Sequence, residues 1–313
     1  MLTIFSTPKP FHGHIGVIQR NALKSWTQLH PDMEVILFGD DEGAADACRE
    51  LGLRHEPYVE RGGSGMKRID YIFRKAQAIA RHDVLCYVNC DIVLMDDFVR
   101  AAERVKAEYP RFLMVGRRWD TAITERVDFS DANWRQKVRS LAAAANHQRD
   151  GWWIDYFLFS RGLYGTEMPA FVIGTVRWDN WLVWKALDLN LPVVDASEAV
   201  LAVHQNHDYS YNPEGKKGVW EGVESQRNLA LAGGTGRMRT IWHATRRLTA
   251  SGRIQGTWLR RVRFEIQRTI VNLPAKVWYP ALRASSSARH AVGLDRHGLT
   301  ELLARFRAGR NAE

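Results

Sequence analysis

Residues 84–94 read VLCYVNCDIVL, an apolar run that carries a carboxylate, Asp91, directly after an Asn–Cys pair. Desolvating an unpaired charge costs several kcal/mol. Asp91 must therefore leave the core, meet a partner, or act at the end of a strand. Other ionisable groups sit at similar breaks in the apolar pattern. Asp40 and Asp41 follow an apolar run in FGDDE, where a solvated turn explains them as well as a binding role does. The stretch RGGSGMKR (61–68) is Gly-rich and precedes a helical pattern. Its backbone N–H groups could meet a phosphate, with Lys67 or Arg68 adding charge, although a plain flexible loop fits equally well. Asp70 follows on the first turns of that helix. Asp155 interrupts WWIDYFLF, and Asp179 opens a helix in RWDNW between Trp178 and Trp181. An acid in a first helical turn serves the helix dipole or stands ready as a base. HQNH supplies His204 and His207, each a core histidine or a ligand.

The elements that would carry these residues alternate. LTIFSTP (2–8) reads as a strand closed by proline. Apolar residues at 15, 18, 22, 23, 26 and 29 follow a helical period. The pattern then predicts strands over 33–43, 53–59, 83–94 and 111–120, with helices over the ADACRELG segment, 66–80 and 96–109 between them. Beyond residue 120 the rhythm loosens: helices over 133–145 and 177–189, strands over 153–161 and 191–197, and a strand from 199 running into a polar loop by 211. Such alternation predicts an α/β fold, a mostly parallel Rossmann-like sheet flanked by helices. Continuous apolar strands suit it, because parallel strands are buried on both faces. Ligands of such sheets collect beyond the carboxyl ends of the strands, where Asp40, Asp41 and Asp91 fall.

The chain has 313 residues, 45% of them apolar, enough for one large α/β domain with additions. Its net charge of +9 is uneven: residues 237–313 hold 16 Lys/Arg against 4 Asp/Glu, which leaves the rest slightly acidic. A near-neutral body with a basic tail argues against general nucleic-acid binding, and no nucleic-acid partner is expected. The expected division is a body over 1–236 and a basic, mainly helical extension over 237–313. Within the extension, apolar residues of 257–273 share a helical face and arginines fill much of the remainder, a pattern suited to an anionic membrane surface or to packing on the body. A short helix is expected over 299–309. No long uncharged apolar stretch predicts a membrane span, and the N-terminus reads as a strand rather than a signal peptide. Cys86 and Cys90 in one extended strand would stand roughly 13 Å apart, too far to bridge. Cys48 is the third cysteine, and no CxxC pair argues for zinc. A reducing cytoplasm is the expected setting, with docking on the inner membrane face as an addition.

The order of these features resembles the GT-A class of nucleotide-sugar-dependent glycosyltransferases of bacterial type. The resemblance runs over roughly residues 1–235 through LTIFSTP, RNALKSW, FGDDE, YVNCDIVL, RWDNW and HQNH. It implies a nucleotide-sugar-binding half over 1–120 and an acceptor half over 121–236. In that class the fourth strand ends in a DxD signature whose last acid holds a divalent metal on the donor diphosphate. Here the signature is Asn89-Cys90-Asp91, with Asn89 able to hydrogen-bond a ribose or sugar but adding no charge. The resemblance implies Mn²⁺ or Mg²⁺ on Asp91, with His204 or His207 as a further ligand. It places Asp40, Asp41, Lys67, Asp70 and Asn89 toward the donor. It places Asp155, Trp178 and Trp181 toward the acceptor, where aromatic faces suit sugar rings. Asp179 matches the acid that serves inverting members as general base.

The activity so implied is transfer of a sugar from a nucleotide diphosphate donor to a glycan, lipid-linked glycan or polysaccharide precursor. A nucleotidyltransferase shares the early sheet and phosphate chemistry, but STPKPFHGH lacks the glycine density that its N-terminal loop requires. A non-catalytic glycan- or nucleotide-binding protein on the same fold is the other rival.

Overall fold

A computed structural model describes residues 1–209 and 214–272, with side chains placed through residue 266. The chain opens with β1 (Thr3–Ser6), α1 (Gly13–Thr27), β2 (Glu34–Phe38), α2 (Ala44–Leu51), β3 (Arg54–Glu56) and α3 (Ile69–Ile79). Next come β4 (Val84–Val88), β5 (Ile92–Val93), α4 (Asp96–Glu108) and β6 (Leu113–Thr121). The second half carries α5 (Trp134–Ala145), β7 (Ile154–Ser160), α6 (Trp178–Asp188), β8 (Val193–Asp195) and β9 (Ala202–Gln205). It continues with α7 (Gly215–Glu221), α8 (Val223–Ala232), β10 (Arg246–Leu248), β11 (Ile254–Gly256) and α9 (Trp258–Asn272).

The sheet runs β11-β10-β8-β6-β7-β4-β1-β2-β3 and is mostly parallel. β7 is the exception inside it, antiparallel to both β4 and β6. Strand residues alternate between two apolar layers, as the pleat requires. Ile4 and Cys86 face a layer with Leu23 and Trp26 of α1 and Phe98 of α4. Phe5, Leu85 and Tyr87 face another with Phe73 of α3 and Leu182 of α6. Helices therefore cover both faces, the α/β architecture that the alternation predicts.

Two local departures shape the site. The run expected as one strand over 83–94 breaks at Asn89–Asp91 into β4 and β5, because Asp91 and Asn89 turn toward polar partners there. β6 changes register between Val115 and Arg117. Its first part pairs with β7 and β8, and residues 118–121 leave to pair with β9. The chain also contains more than the sequence pattern suggested. α7 and α8 follow the polar loop, and the β10–β11 hairpin extends the sheet through a parallel pair with β8. The first compact unit consequently runs from Met1 to Gly256, so the boundary expected at 236 moves past this hairpin. Of the second unit, Thr257–Glu313, α9 is described; the helix expected over 299–309 lies outside the described residues. Among the described residues no helix is long and apolar enough to cross a membrane.

α1 fastens the broken strand. Fully buried Trp26 donates its indole N–H to the Ile92 carbonyl at 2.9 Å. Asn21 donates to Gln205 Oε1 at 2.9 Å, and Gln205 Nε2 in turn reaches the carbonyls of Ile18 and Asp91. Trp26→Phe keeps an aromatic ring but strands the Ile92 carbonyl and leaves the space of the lost pyrrole ring empty, at a cost of roughly 1–3 kcal/mol for the stranded carbonyl with a cavity cost added. Denaturant unfolding should show that loss in the midpoint at unchanged slope; an unchanged midpoint would show the bond to be dispensable.

Candidate active site

β4 lies beside β1, yet the chain reaches it only after laying β2 and β3 on the other side. That reversal opens a crevice beyond the carboxyl ends of β1 and β4. A cavity of about 410 Å³ occupies it, lined by Thr7–Pro10 after β1 and Asn89–Asp91 after β4. Asp41, Lys67, Arg118, Asp155, Trp178, Asp179, His204 and His207 also line it, as does Arg61.

Register brings Asp91 and the histidines together. His204 pairs with Ile92 of β5 on one side and with Asp120 of β6 on the other. Asp91 Oδ2 stands 3.1 Å from His207 Nε2 and 3.8 Å from His204 Nε2. Asp91 Oδ1 is buried without a hydrogen-bond partner among the described residues. Burial drives the Asp91 carboxyl upward, but His204, His207 and Lys9 outweigh it and hold it well below the usual carboxylate range. The three ligand atoms lie within 4.8 Å of one another. Two imidazoles and a carboxylate with an orphaned oxygen suit a divalent cation that accepts mixed nitrogen and oxygen ligands.

A second group of charges stands behind the histidines. Asp120 Oδ1 lies 3.3 Å from His204 Nδ1. Arg118 donates Nε to Asp120 at 2.9 Å and one terminal nitrogen to both oxygens of Asp155 at 3.1 Å. Arg149 also donates to Asp120. Burial raises the Asp120 carboxyl, yet His204, Arg118 and Arg149 together hold it well below its ordinary value. Arg118 and Arg149 both lie over the Trp153 ring, at 4.7 and 4.9 Å.

The residues expected toward the donor separate. Asn89 lines the cavity and donates its amide to Asp155 at 2.6 Å. Lys67 also lines it, buried, with its ammonium donating to Thr7 Oγ1, the Pro8 carbonyl and Asp41. This bond set ties the loops after β1 and β2 to the segment before α3. Asp40 stays outside, exposed and paired with Arg61 at 2.7 Å. Asp70 does not line the cavity either; it is buried and held by two bonds from Arg68. On the acceptor side, Asp155, Trp178 and Asp179 line the cavity. Trp181 does not: it packs in the core against Phe171, on the face of α6 that turns inward.

Asp179 differs from the other acids. Its Oδ1 is buried without a partner. Burial pushes the carboxyl up to about 6; backbone N–H groups of the first turn of α6 oppose the rise and the nearby Asp155 charge adds to it. A carboxyl in that range can exchange a proton near neutral pH. Cys90 offers no such chemistry, since burial pushes its thiol up to about 12.

Sequence reasoning missed Asp120, Arg118 and the pair Trp152–Trp153. Asp120 carried a weak signal, because it falls near the end of a predicted strand, although two arginines precede it.

No protein-family model matches the chain, and no curated protein matches it. Solved structures do. Residues 1–349 of TarS from S. aureus, in complex with UDP-GlcNAc, align at 12% identity and TM-score 0.45 over 66% of this chain and 58% of that one. Glucosyl-3-phosphoglycerate synthase from Mycobacterium tuberculosis, with Mn²⁺, UDP and glucosyl-3-phosphoglycerate, aligns at 12% identity and TM-score 0.44 over 76% of this chain and 80% of that one. The chain thus spans less than two thirds of the TarS chain and more of the synthase.

A histidine that holds a metal usually passes its other ring nitrogen to a carboxylate, and losing that carboxylate costs about 10–100-fold in metal affinity. Asp120→Asn should therefore weaken Mn²⁺ binding by that factor in calorimetric titration. Wild-type affinity in the variant would detach Asp120 from the cluster.

Proposed function

We propose that the chain is a glycosyltransferase that moves a sugar from a nucleotide diphosphate donor to a saccharide hydroxyl. One observation carries this reading: a carboxylate–dihistidine cluster and a half-buried acid with a carboxyl pushed up to about 6 line the same cavity, beyond the strands where α/β sheets take ligands. The GT-A-like arrangement implied by the sequence resemblance supports it. Asp91, His204 and His207 would hold the divalent metal, which supplies positive charge to the departing diphosphate when bound. Two imidazoles lean the choice toward Mn²⁺.

This chain's own residues do the rest. The crevice after β1 and β4 takes the donor, with Asn89 and the Lys67-anchored loops shaping its wall. Asp179 accepts the proton of the acceptor hydroxyl as that oxygen attacks the anomeric carbon. The bond from that carbon to the diphosphate breaks, and the diphosphate leaves with the electron pair. Direct attack of this kind inverts the anomeric centre. Incubation with a panel of nucleotide sugars and Mn²⁺ tests the reading: nucleoside diphosphate release supports it. Saccharide binding without release would indicate a non-catalytic binder, and pyrophosphate release from nucleoside triphosphate and sugar phosphate a nucleotidyltransferase.

Asp179→Asn keeps the size of the side chain but cannot take a proton. Its kcat should fall by roughly 10²–10⁴-fold while donor affinity stays near wild type. The wild-type rate should decline below pH about 6 as Asp179 protonates, and the variant should lack that limb. Stability should move the other way. The folded carboxyl, at about 6, lies above its ordinary 3.8, so the protonated form is the one that folding favours. Wild type therefore loses stability as pH rises through that window, by roughly 3 kcal/mol at neutral pH. The variant should melt higher than wild type at pH 7 and gain nothing below pH 3.8. Normal kcat would remove Asp179 from the chemistry.

The lipid-linked acceptors and the inner membrane face also belong to this proposal. Within α9, Trp258, Leu259, Val262 and Ile266 fall on one helical face, with Arg260, Arg261 and Arg263 on the remainder. Basic amphipathic helices of this kind bind anionic interfaces, with about 1 kcal/mol per basic residue near the surface. The full chain should sediment with anionic vesicles at low salt, and truncation after Gly256 should release it. Failure of the full chain to sediment would refute the membrane role.

A further inference from the structure

A second cavity, of about 300 Å³, adjoins the first. Trp152, Trp153, Val176, Asp179 and Trp220 line both, so the two spaces meet at the acid assigned to proton transfer. Arg177 and Lys216 line the second alone. Its walls combine aromatic surface with an excess of hydrogen-bond donors. Trp153 and Trp220 meet edge to face at 5.1 Å and fix one corner. Trp152, 47% exposed, leaves much of its indole open.

Two of the donors are buried without a hydrogen-bond acceptor among the described residues, Trp220 Nε1 and Arg177 Nε. Neither Arg177 nor Lys216 forms an ion pair among the described residues. Buried donors of this kind are normally satisfied, and here the open volume beside them is where an acceptor would sit. Two carboxylates, Asp150 and Asp179, share the wall with these cations; Asp150 Oδ1 accepts the backbone N–H of Trp152 at 3.0 Å, and Arg177 and Lys216 have donors to spare. Arg177 is also held at φ +89, a conformation that non-glycine residues rarely adopt. The turn into α6 keeps it there despite that strain.

We propose that this second cavity is the acceptor subsite, and that it takes a saccharide bearing an anionic group, a carboxylate or a phosphate. The pyranose ring stacks on Trp152, the anion is read by Arg177 and Lys216, and the nucleophilic hydroxyl points to Asp179. Guanidinium and ammonium together suit either oxyanion, with Arg supplying the fork and Lys the point charge. The inference rests on the glycosyl-transfer reading and narrows its acceptor to charged sugars. The reaction balances as before: the acceptor oxygen bonds to the anomeric carbon, the bond to diphosphate breaks, and the hydroxyl proton passes to Asp179.

Three probes test it in the full chain with Mn²⁺ and a nucleoside diphosphate: methyl glucoside, methyl glucuronide and glucose 6-phosphate. Binding is read by calorimetric titration, with the change in tryptophan fluorescence on probe addition as a second readout. One or both charged probes should bind about 10-fold or more tightly than methyl glucoside, and the comparison between them separates carboxylate from phosphate. In Arg177→Gln/Lys216→Gln the ratio of charged to neutral affinity should fall toward one. Arg177→Gly suits the local φ, so it should melt no lower than wild type and still lose most of the ratio. Equal or undetectable binding of all three probes by wild type overturns the anionic acceptor, as does a ratio that survives the double variant. Nucleotide release from donors with no charge preference leaves glycosyl transfer standing and removes this subsite. A charge preference in a protein that binds no nucleoside diphosphate removes glycosyl transfer and keeps the anion site.

Discussion

The Asp91 carboxylate stands where a fully buried strand stops, and a buried charge persists only when opposite charge and donors surround it. That demand organises the polar edge of the sheet. It splits one apolar run into β4 and β5, draws β9 alongside, and places two imidazoles against one oxygen while leaving the other orphaned. The strand cannot continue through this point, and the crevice opens because it does not.

The support is layered. β6 belongs to the main sheet at its start and to the β5–β9 ribbon at its end, so its register shift carries Asp120 to His204. Arg118 then links Asp120 to Asp155, and Asp155 takes the Asn89 amide. The segment after β4, the end of β6 and the start of β7 are thereby joined by charge-assisted bonds rather than by apolar packing alone. Such a network is rigid when complete and costly when cut, because each removed partner leaves a buried charge behind. From the other face, α1 holds the Asp91 and Ile92 carbonyls through Gln205 and Trp26.

Much of this was legible in the residues. β1, β2 and β4 announce themselves as apolar runs ended by proline or acid, and Asp91, His204 and His207 stand out as polar groups at strand ends. The pairing of His204 with Asp120 was not legible, because it depends on a register shift within β6 that no local pattern marks. Trp178 and Trp181 looked equivalent in sequence, and both pack in the same apolar layer, yet Trp178 alone of the two also lines the cavity. α7 and α8 hid behind the glycines of GKKGVWEGVES, and the β10–β11 hairpin behind its arginines, since an edge pair exposes charged side chains that mask a strand pattern. Asp40 and Asp70 lie off the cavity wall, paired with Arg61 and Arg68, a placement that their sequence positions do not mark.

The account turns on whether Asp91 and its two histidines hold a cation at the mouth of the crevice. Anomalous diffraction from crystals soaked with Mn²⁺ and a nucleoside diphosphate answers this directly. The account predicts one strong manganese peak between Asp91 and the imidazoles of His204 and His207, with the diphosphate beside it in the first cavity. A peak elsewhere, or a bound diphosphate with no metal at Asp91, would contradict it.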